Sequence, residues 1–171
     1  GLPNNAIGGM INAMEWLPKN HKIDYIVSAW SPSGKTFRHE IYDQYKANRP
    51  PVADEFLKQI PYIRRVFELF HIPIIAKEGF EADDVIATLA RMASGTGWNT
   101  TIYSVDKDFR QLLCDRINLF DHRNRKWIYE DDHTKDWGIR PDQVPDFLAL
   151  MGDVSDNIPG VPGIGDKTAS K

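Results

Sequence analysis

The chain has 171 residues, of which 42% are hydrophobic and 26% charged, and its formal net charge is -3. This composition excludes disordered, collagen-like and disulfide-rich chains and indicates one globular domain, or one domain and part of a second. No apolar run approaches the roughly 20 residues that a membrane helix needs, so we expect no membrane partner. The single cysteine, Cys114, excludes an internal disulfide and is predicted to be a buried structural thiol.

The first half of the chain predicts two helical regions and two strands. Apolar residues at three- and four-residue steps predict a helix over 4–16, and a β-rich run predicts a strand over 24–30. A polar stretch follows, in which Pro50 and Pro51 argue against a helix. A second helix is predicted from Asp54, kinked or divided at Pro61, and then a buried strand over 72–76.

The second half continues the alternation of strands and helices. A helix is predicted to begin at 81–84 and to end at Gly95 and Gly97, followed by a strand over 100–105. Shorter strands are predicted over 117–121 and 127–130, and a last helix over 141–151. The alternation predicts an α/β domain with a mostly parallel central sheet flanked by helices, whose ligands bind at the carboxyl ends of the strands.

Three clusters of carboxylates stand at the predicted junctions between elements. They are Glu81, Asp83 and Asp84; Asp106 and Asp108; and Asp153 and Asp156. A carboxylate that opens a helix can simply cap it, which is the structural alternative for the first cluster. If the sheet brings the clusters together, their repulsion raises pKa values unless cations bind. Oxygen ligands without His or Cys favour Mg²⁺ or Mn²⁺, and paired Mg²⁺ ions suit phosphodiester hydrolysis.

A basic stretch and a glycine-rich turn provide two weaker signals. In the stretch 35–49, basic residues alternate with Phe37, Tyr42 and Tyr45, which suits phosphate contact and stacking on unpaired bases, although a solvated loop fits equally well. The net charge of -3 does not oppose this reading, because binding depends on where charge lies. The turn 160–167 predicts a tight hairpin before a helix N-terminus, without the spacing of a Walker loop.

Five motifs in order carry a resemblance to a known family. They are GKTFR at 34–38, YKANRPP at 45–51, EADD at 81–84, DKD at 106–108 and MGDVSDNIPG at 151–160. Together they resemble the 5′-nuclease domain of bacterial DNA polymerase I and the wider flap endonuclease family. The resemblance implies a PIN-like fold with a helical arch, and a metal-dependent 5′–3′ exonuclease and 5′-flap endonuclease of replication and repair. It also implies a nuclease α/β domain over 1–150 and the start of a helix-three-turn-helix DNA-binding region over 151–171.

The resemblance also implies roles for individual residues. Glu81, Asp83 and Asp84 match the tighter metal site, and Asp106, Asp108, Asp153 and Asp156 match the second. Lys46 and Arg49 match catalytic residues at the foot of the arch, where the first polarises the scissile phosphate and the second holds it. The residues expected to contact DNA are Lys35, Arg38, Lys46, Arg49, Gly160, Gly163, Gly165 and Lys167. The implied cofactors are two Mg²⁺ ions, for which Mn²⁺ can substitute, and K⁺ at the glycine hairpin.

The sequence departs from the family pattern in two places. The family begins with a strand that bears an aspartate, which nothing before Gly1 supplies, and Ser31 stands where the family has another aspartate. Asp24 does not replace it, because it lies at the opposite end of that strand. We therefore expect a fragment that is inactive by itself, and a raised Mg²⁺ requirement in the intact protein. Two alternatives stay open: a catalytically weakened flap- or duplex-DNA-binding module, and a PIN-type ribonuclease.

The implied partners are DNA with 5′ flaps, nicks or free 5′ ends, and RNA primers on DNA. A polymerase domain on the C-terminal side is a further expectation, as is a monomeric state. The implied location is the cytoplasm of a bacterium or of a phage-infected cell.

Overall fold

A computed structural model describes residues 3–171, so the expectation about the start of the chain at Gly1 lies outside the described residues. The helices are α1 (Asn5–Asn20), α2 (Phe37–Ile41), α3 (Asp54–Leu57), α4 (Ile60–Leu69), α5 (Ala82–Gly95), α6 (Glu130–Trp137), α7 (Val144–Met151) and α8 (Asp166–Ala169). The strands are β1 (Ser28–Trp30), β2 (Ile74–Ala76), β3 (Thr100–Tyr103), β4 (Ile117–Asp121) and β5 (Lys126–Ile128). Short 3₁₀ helices cover Lys107–Leu112 and Pro141–Gln143.

The strands confirm an α/β fold in which most pairings are parallel. β1 pairs with β2 in parallel, with Ser28 opposite Ile74, and β3 pairs with β4 in parallel, with Thr100 opposite Ile117. β5 returns antiparallel to β4. Within the described residues the strands form two hydrogen-bonded groups rather than one continuous sheet. Helix α5 packs against β1, β2 and β3 and so joins the two groups.

Three hydrophobic clusters hold these elements together. The first lies under β3 and β4 and includes Leu119, which is 1% exposed. The second packs α1 against α4 through Met14, Leu17 and Phe67, as expected for the apolar faces of those helices. The third joins Ile139, Val144 and Phe147 around α7. Burying a side chain of this size stabilises the fold by about 2 kcal/mol, so these clusters fix the positions of the loops between them.

The predicted helix that begins at Asp54 is divided where Pro61 predicted a break. α3 ends at Leu57 and α4 begins at Ile60, which puts Pro61 in the first turn of α4. A first-turn proline is tolerated because its missing N–H group would have no intrahelical partner there.

Two short helices were not predicted from the sequence. The prediction that the polar stretch contains no helix is wrong for 37–41, because Pro50 and Pro51 lie well beyond α2. α2 lies inside the polar stretch, where His39 Nδ1 accepts a hydrogen bond of 3.1 Å from the Thr36 backbone N–H and caps the helix. α6 follows β5 directly, with three acidic residues in its first turn and Gly138 at φ 71° at its end. These caps and charges stabilise helices that are too short to show a clear apolar periodicity.

Cys114 is exposed, so the prediction of a buried structural thiol is wrong. Its backbone pairs with Ile117 in an isolated bridge before β4. Leu112 and Leu113, its neighbours, belong to the first hydrophobic cluster, and Cys114 does not.

No helix within residues 3–171 has the length and apolar character needed to cross a membrane.

Candidate active site

The first acidic cluster lies at the beginning of α5, beside the end of β1. The Asp84 carboxylate accepts a hydrogen bond of 2.9 Å from the Glu81 backbone N–H, so Asp84 does cap the helix. The Ser31 hydroxyl accepts a second hydrogen bond of 2.9 Å from the Ala82 backbone N–H. Ser31 therefore lies next to the cluster, and its oxygen is bonded to the first turn of the helix.

Basic residues of the stretch 35–49 lie directly on this cluster. The Arg38 guanidinium donates two hydrogen bonds of 2.7 Å to the two carboxylate oxygens of Asp84. These bonds lower the pKa of Asp84 and raise the pKa of Arg38. The Lys46 ammonium donates to both carboxylate oxygens of Glu81 at 2.8 Å. Arg38, expected from the sequence to contact DNA, is thus bound to an acidic residue of the site.

The carboxylates of the third acidic cluster also form ion pairs, one of them with Lys107, which lies between the two aspartates of the second cluster. Lys107 Nζ lies 2.9 Å from Asp153 Oδ2, and Arg49 pairs with Asp156. Burial opposes ionisation of Asp153, but hydrogen bonds from Ser155 and Lys107 prevail and lower its pKa to about 2. Two carboxylates from the loop after α7 are therefore paired with cations from other parts of the chain.

Asp83 and Asp108 have no ion-pair partner in the described part of the chain, and the pKa values of both are raised. Burial raises the pKa of Asp83, and the charges of Asp106 and Glu81 raise it further. Burial and Asp106 raise the pKa of Asp108 to about 6, and Asp153 and Asp156 add to the effect. The Tyr45 hydroxyl contacts both Glu81 and Asp156, and Lys107 pairs with Asp153, so all three clusters lie in one region. Their mutual repulsion raises these pKa values.

The donor chemistry of this region fits a hard divalent cation. Asp83, Asp106 and Asp108 offer oxygen ligands, and Asp108 Oδ1 is buried with no hydrogen-bond partner among residues 3–171. Over the same residues, no three His, Cys, Asp or Glu side chains are grouped closely enough to hold a metal ion as they stand. Basic side chains hold Glu81 and Asp84 instead, so full coordination requires these pairs to open.

Sequence reasoning missed the position of Tyr45. The aromatic residue was expected to be available for stacking on bases, but it is only 5% exposed. Its hydroxyl lies 3.1 Å from Glu81 Oε2 and 3.0 Å from Asp156 Oδ2. Burial, and then the charges of Asp156 and Glu81, raise its pKa. Its place directly before Lys46 in the motif was the one signal in the sequence.

The segment 44–49 is docked on the loop after α7. The Lys46 backbone N–H donates to the Asp156 carbonyl oxygen at 2.9 Å. The Asn157 side-chain amide donates to the Gln44 carbonyl oxygen at 2.7 Å, and that of Asn48 to the Val154 carbonyl oxygen at 2.6 Å. The residues matched to the arch foot and one acidic cluster therefore form a single unit.

The remaining predicted DNA contacts are not members of the ion pairs described above. Lys35 and Lys167 are exposed, and Gly163 turns the hairpin with φ 80°. Gly165 immediately precedes α8, which has only four residues. Gly160 packs against the backbone of Met151 and Gly152, which gives it a structural role of its own.

Comparisons with known proteins agree with this arrangement. A family model described as the 5′–3′ exonuclease N-terminal resolvase-like domain matches residues 1–138, and one described as the 5′–3′ exonuclease C-terminal SAM fold matches 139–171. The 5′–3′ exonuclease of Aquifex aeolicus is 40% identical over 169 residues, which cover 99% of this chain and 58% of that protein. The DNA polymerase I of Rhizobium leguminosarum is 40% identical over 178 residues, which cover 100% of this chain and 18% of the polymerase. The chain therefore spans little more than half of one relative and less than a fifth of the other.

Solved structures of phage T5 proteins share the fold. The T5 D15 protein crystallised with metal ions has a TM-score of 0.83 and 25% identity, covering 95% of this chain and 65% of that one. The T5 flap endonuclease in a pseudo-enzyme–product complex with DNA and metal ions has a TM-score of 0.83 and 24% identity, covering 99% and 68%. Since a family model covers most of its length and relatives are 40% identical across it, the chain belongs to the 5′–3′ exonuclease family, with its N-terminal resolvase-like domain followed by the SAM-fold region.

Proposed function

We propose that this chain is the nuclease part of a metal-dependent 5′–3′ exonuclease and structure-specific 5′-flap endonuclease, which hydrolyses phosphodiester bonds in DNA and RNA primers. The observation that carries the proposal is the contact of Lys46 and Arg49 with Glu81 and Asp156. Basic side chains that can bind a phosphate therefore lie next to carboxylates that can bind a metal ion. The family membership and the T5 flap endonuclease fold support the same activity.

The residues have distinct roles in this function. Bound Mg²⁺ supplies positive charge for the attacking and leaving oxygens of the phosphodiester. Asp83, Asp106 and Asp108 hold it, because they offer oxygen ligands and form no ion pair among the described residues. The other four predicted ligands join them once their cationic partners leave; these are Glu81, Asp84, Asp153 and Asp156. Lys46 and Arg49 bind the scissile phosphate. The phosphate thereby replaces Glu81 and Asp156 as the partner of these two cations.

Finer features of the function are part of the proposal. The substrates are DNA with 5′ flaps, nicks or free 5′ ends, and relatives named DNA polymerase I support a polymerase domain on the C-terminal side. Neighbours crystallised with metal ions support divalent-metal dependence, with Mg²⁺ as the natural ion and K⁺ at the hairpin 160–165. The proposed nuclease part covers 1–150 and the DNA-binding part 151–171, whereas the two family models divide at 138–139. The protein is proposed to act as a monomer in the cytoplasm.

A DNA-binding module with weakened catalysis is the second candidate. The observation that favours it is the hydrogen bond from the Ala82 backbone N–H to the Ser31 hydroxyl. This bond commits the oxygen of Ser31 to the helix, and a neutral hydroxyl attracts Mg²⁺ more weakly than a carboxylate does.

Cleavage of a 5′-flap duplex by the protein that carries this chain distinguishes the two candidates. In Mg²⁺ we expect cleavage that EDTA abolishes. Asp153→Asn should reduce it roughly 100-fold or more, as for the loss of one strong electrostatic contact, without reducing flap affinity. Asp131→Asn, the same change at an exposed position on α6, is the matched control. Binding without cleavage at any Mg²⁺ or Mn²⁺ concentration would support the DNA-binding module, and undiminished cleavage by Asp153→Asn would remove Asp153 from the site.

A further inference from the structure

Tyr45 connects two acidic clusters that lie far apart in the sequence. Its hydroxyl lies 3.1 Å from Glu81 at the beginning of α5 and 3.0 Å from Asp156 in the loop after α7. The ring is 5% exposed. His39 contacts it edge-on with 5.3 Å between ring centroids, and the Lys46 ammonium lies 4.8 Å from its centroid. Contacts to the ring and to the hydroxyl therefore both fix the position of the Tyr45 side chain.

A neutral donor is well suited to this position. A tyrosine hydroxyl has one hydrogen, which either carboxylate can accept. Tyr45 thus reduces the repulsion between the buried Glu81 carboxylate and the half-buried Asp156 carboxylate. Lys46 and Arg49 also neutralise these carboxylates, but their charges are required by the phosphate in the proposed function. The side chain of Arg49 is moreover 52% exposed, so its position is less fixed than that of the buried phenol.

The backbone reinforces the contact with Asp156. The Lys46 N–H donates to the Asp156 carbonyl oxygen at 2.9 Å, one residue after the tyrosine. The Asn157 side chain donates to the Gln44 carbonyl oxygen at 2.7 Å, one residue before it. Contacts on both sides of Tyr45 therefore determine where the hydroxyl meets the carboxylates. Hydrogen bonds of this kind orient the ligands of metal ions and typically change metal affinity 10- to 100-fold.

We propose that Tyr45 is a positioning residue whose hydroxyl keeps Glu81 and Asp156 next to each other, so that both bind a divalent cation once Lys46 and Arg49 release them. The inference rests on the proposed function only in requiring that this region binds such a cation. Tyr45 acts through the two carboxylates and not by stacking on a base, because its ring is buried.

Calorimetric titration of the chain with Mn²⁺ tests this role. Tyr45→Phe keeps the ring and removes only the hydroxyl, and we expect the Kd for Mn²⁺ to rise about 10-fold. Tyr62→Phe, the same change at a ring that is 52% exposed on α4, should leave the Kd unchanged. Urea unfolding of each variant shows that the titrated protein is folded, and a purely structural role would move the urea midpoint and not the Kd.

A double-mutant cycle with Asp156→Asn identifies the path of the effect. If the hydroxyl acts through Asp156, the two changes together should weaken Mn²⁺ binding by less than the product of their separate factors. Equal Mn²⁺ affinity in Tyr45→Phe and the unchanged chain would overturn the role of Tyr45 and leave the proposed function intact. An unchanged chain that binds no Mn²⁺ would refute the metal site of the proposed function, and with it the role of Tyr45.

Discussion

Gly152 and Gly160 approach each other so closely that neither has room for a Cβ atom. A Cβ on Gly152, which has φ 75°, would lie 2.7 Å from the Ile158 carbonyl oxygen and 2.8 Å from Gly160 Cα. Inside this contact, Asp153 and Ile158 exchange two backbone hydrogen bonds of 2.8 Å. The glycine pair therefore closes the loop that carries Asp153 and Asp156.

Gly160→Ala should destabilise the chain because its methyl group would overlap backbone atoms of Met151 and Gly152. We expect a loss of about 2–3 kcal/mol in the free energy of unfolding, measured by urea denaturation. Gly95→Ala, at a helical position with no atom within 4 Å of the added Cβ, should instead stabilise α5 by about 0.5–1 kcal/mol. Equal stability of the two variants would show that the glycine contact is not a constraint.

Gln59 caps α1 from a distant part of the chain. The residue is 2% exposed, its side-chain oxygen accepts from the Ala6 N–H at 2.9 Å, and its amide donates to the Asn5 side chain at 3.0 Å. Gln59→Leu should cost about 1–2 kcal/mol of stability, because it removes the cap of the half-buried Ala6 N–H and the partner of the exposed Asn5 side chain. Gln44→Leu, at an exposed side chain, is the control in the same thermal or urea unfolding measurement. A loss of less than about 0.5 kcal/mol would mean that water replaces the cap.

Lys46→Ala should slow cleavage by the protein that carries this chain at saturating flap DNA. The ammonium is bound to Glu81 at 2.8 Å, and in the proposed function its charge acts on the reacting phosphate. We expect kcat to fall roughly 100-fold, as for other losses of transition-state charge stabilisation. Lys58→Ala, at an exposed position, is the control. A change limited to KM would mean that Lys46 only contacts the DNA phosphate backbone and does not act on the reacting phosphate.

Ser31→Asp should lower the Mg²⁺ concentration needed for half-maximal cleavage. An aspartate at this position adds a charged oxygen ligand beside Glu81. It can also accept the hydrogen bond that the Ala82 N–H donates to the serine oxygen, at 2.9 Å, in the unchanged chain. Ser33→Asp adds the same charge at an exposed site nearby and should leave the Mg²⁺ titration unchanged. Identical titrations for Ser31→Asp and the unchanged protein would place residue 31 outside the metal site.

His133 should make the fold sensitive to mild acid. The residue is 0% exposed and lies 5.1 Å from Trp137, measured between ring centroids. Burial, and then the charge of Arg110, lower its pKa below the ordinary value of 6.5. Because the unfolded chain binds the proton more readily, stability is fully present above pH 6.5 and falls as pH decreases below it.

His133→Leu should lose less stability than the unchanged chain between pH 7.5 and pH 5.5, as measured by urea midpoints. His122→Leu, at an exposed histidine, should keep the original pH dependence and serves as the control. Parallel pH profiles for the chain and His133→Leu would show that another group is responsible.

The sequence by itself determined the fold class, the family and the junctions where the acidic clusters lie. Apolar periodicity, turn residues and β-branched runs are local signals, so they predicted α1, α5 and the strands that precede Asp106. The same signals are weak in short elements, which is why α2 and α6 depend on caps and charges and were not predicted.

The tertiary structure alone decided how the site is held together. The hydrogen bonds of Tyr45 connect it to residues 36 and 111 positions away in the sequence, and the pair of Arg38 and Asp84 spans 46. No local pattern specifies such contacts. They arise because α5, the segment 44–49 and the loop after α7 pack together, so that anions excluded from water take the nearest cation or hydroxyl as partner.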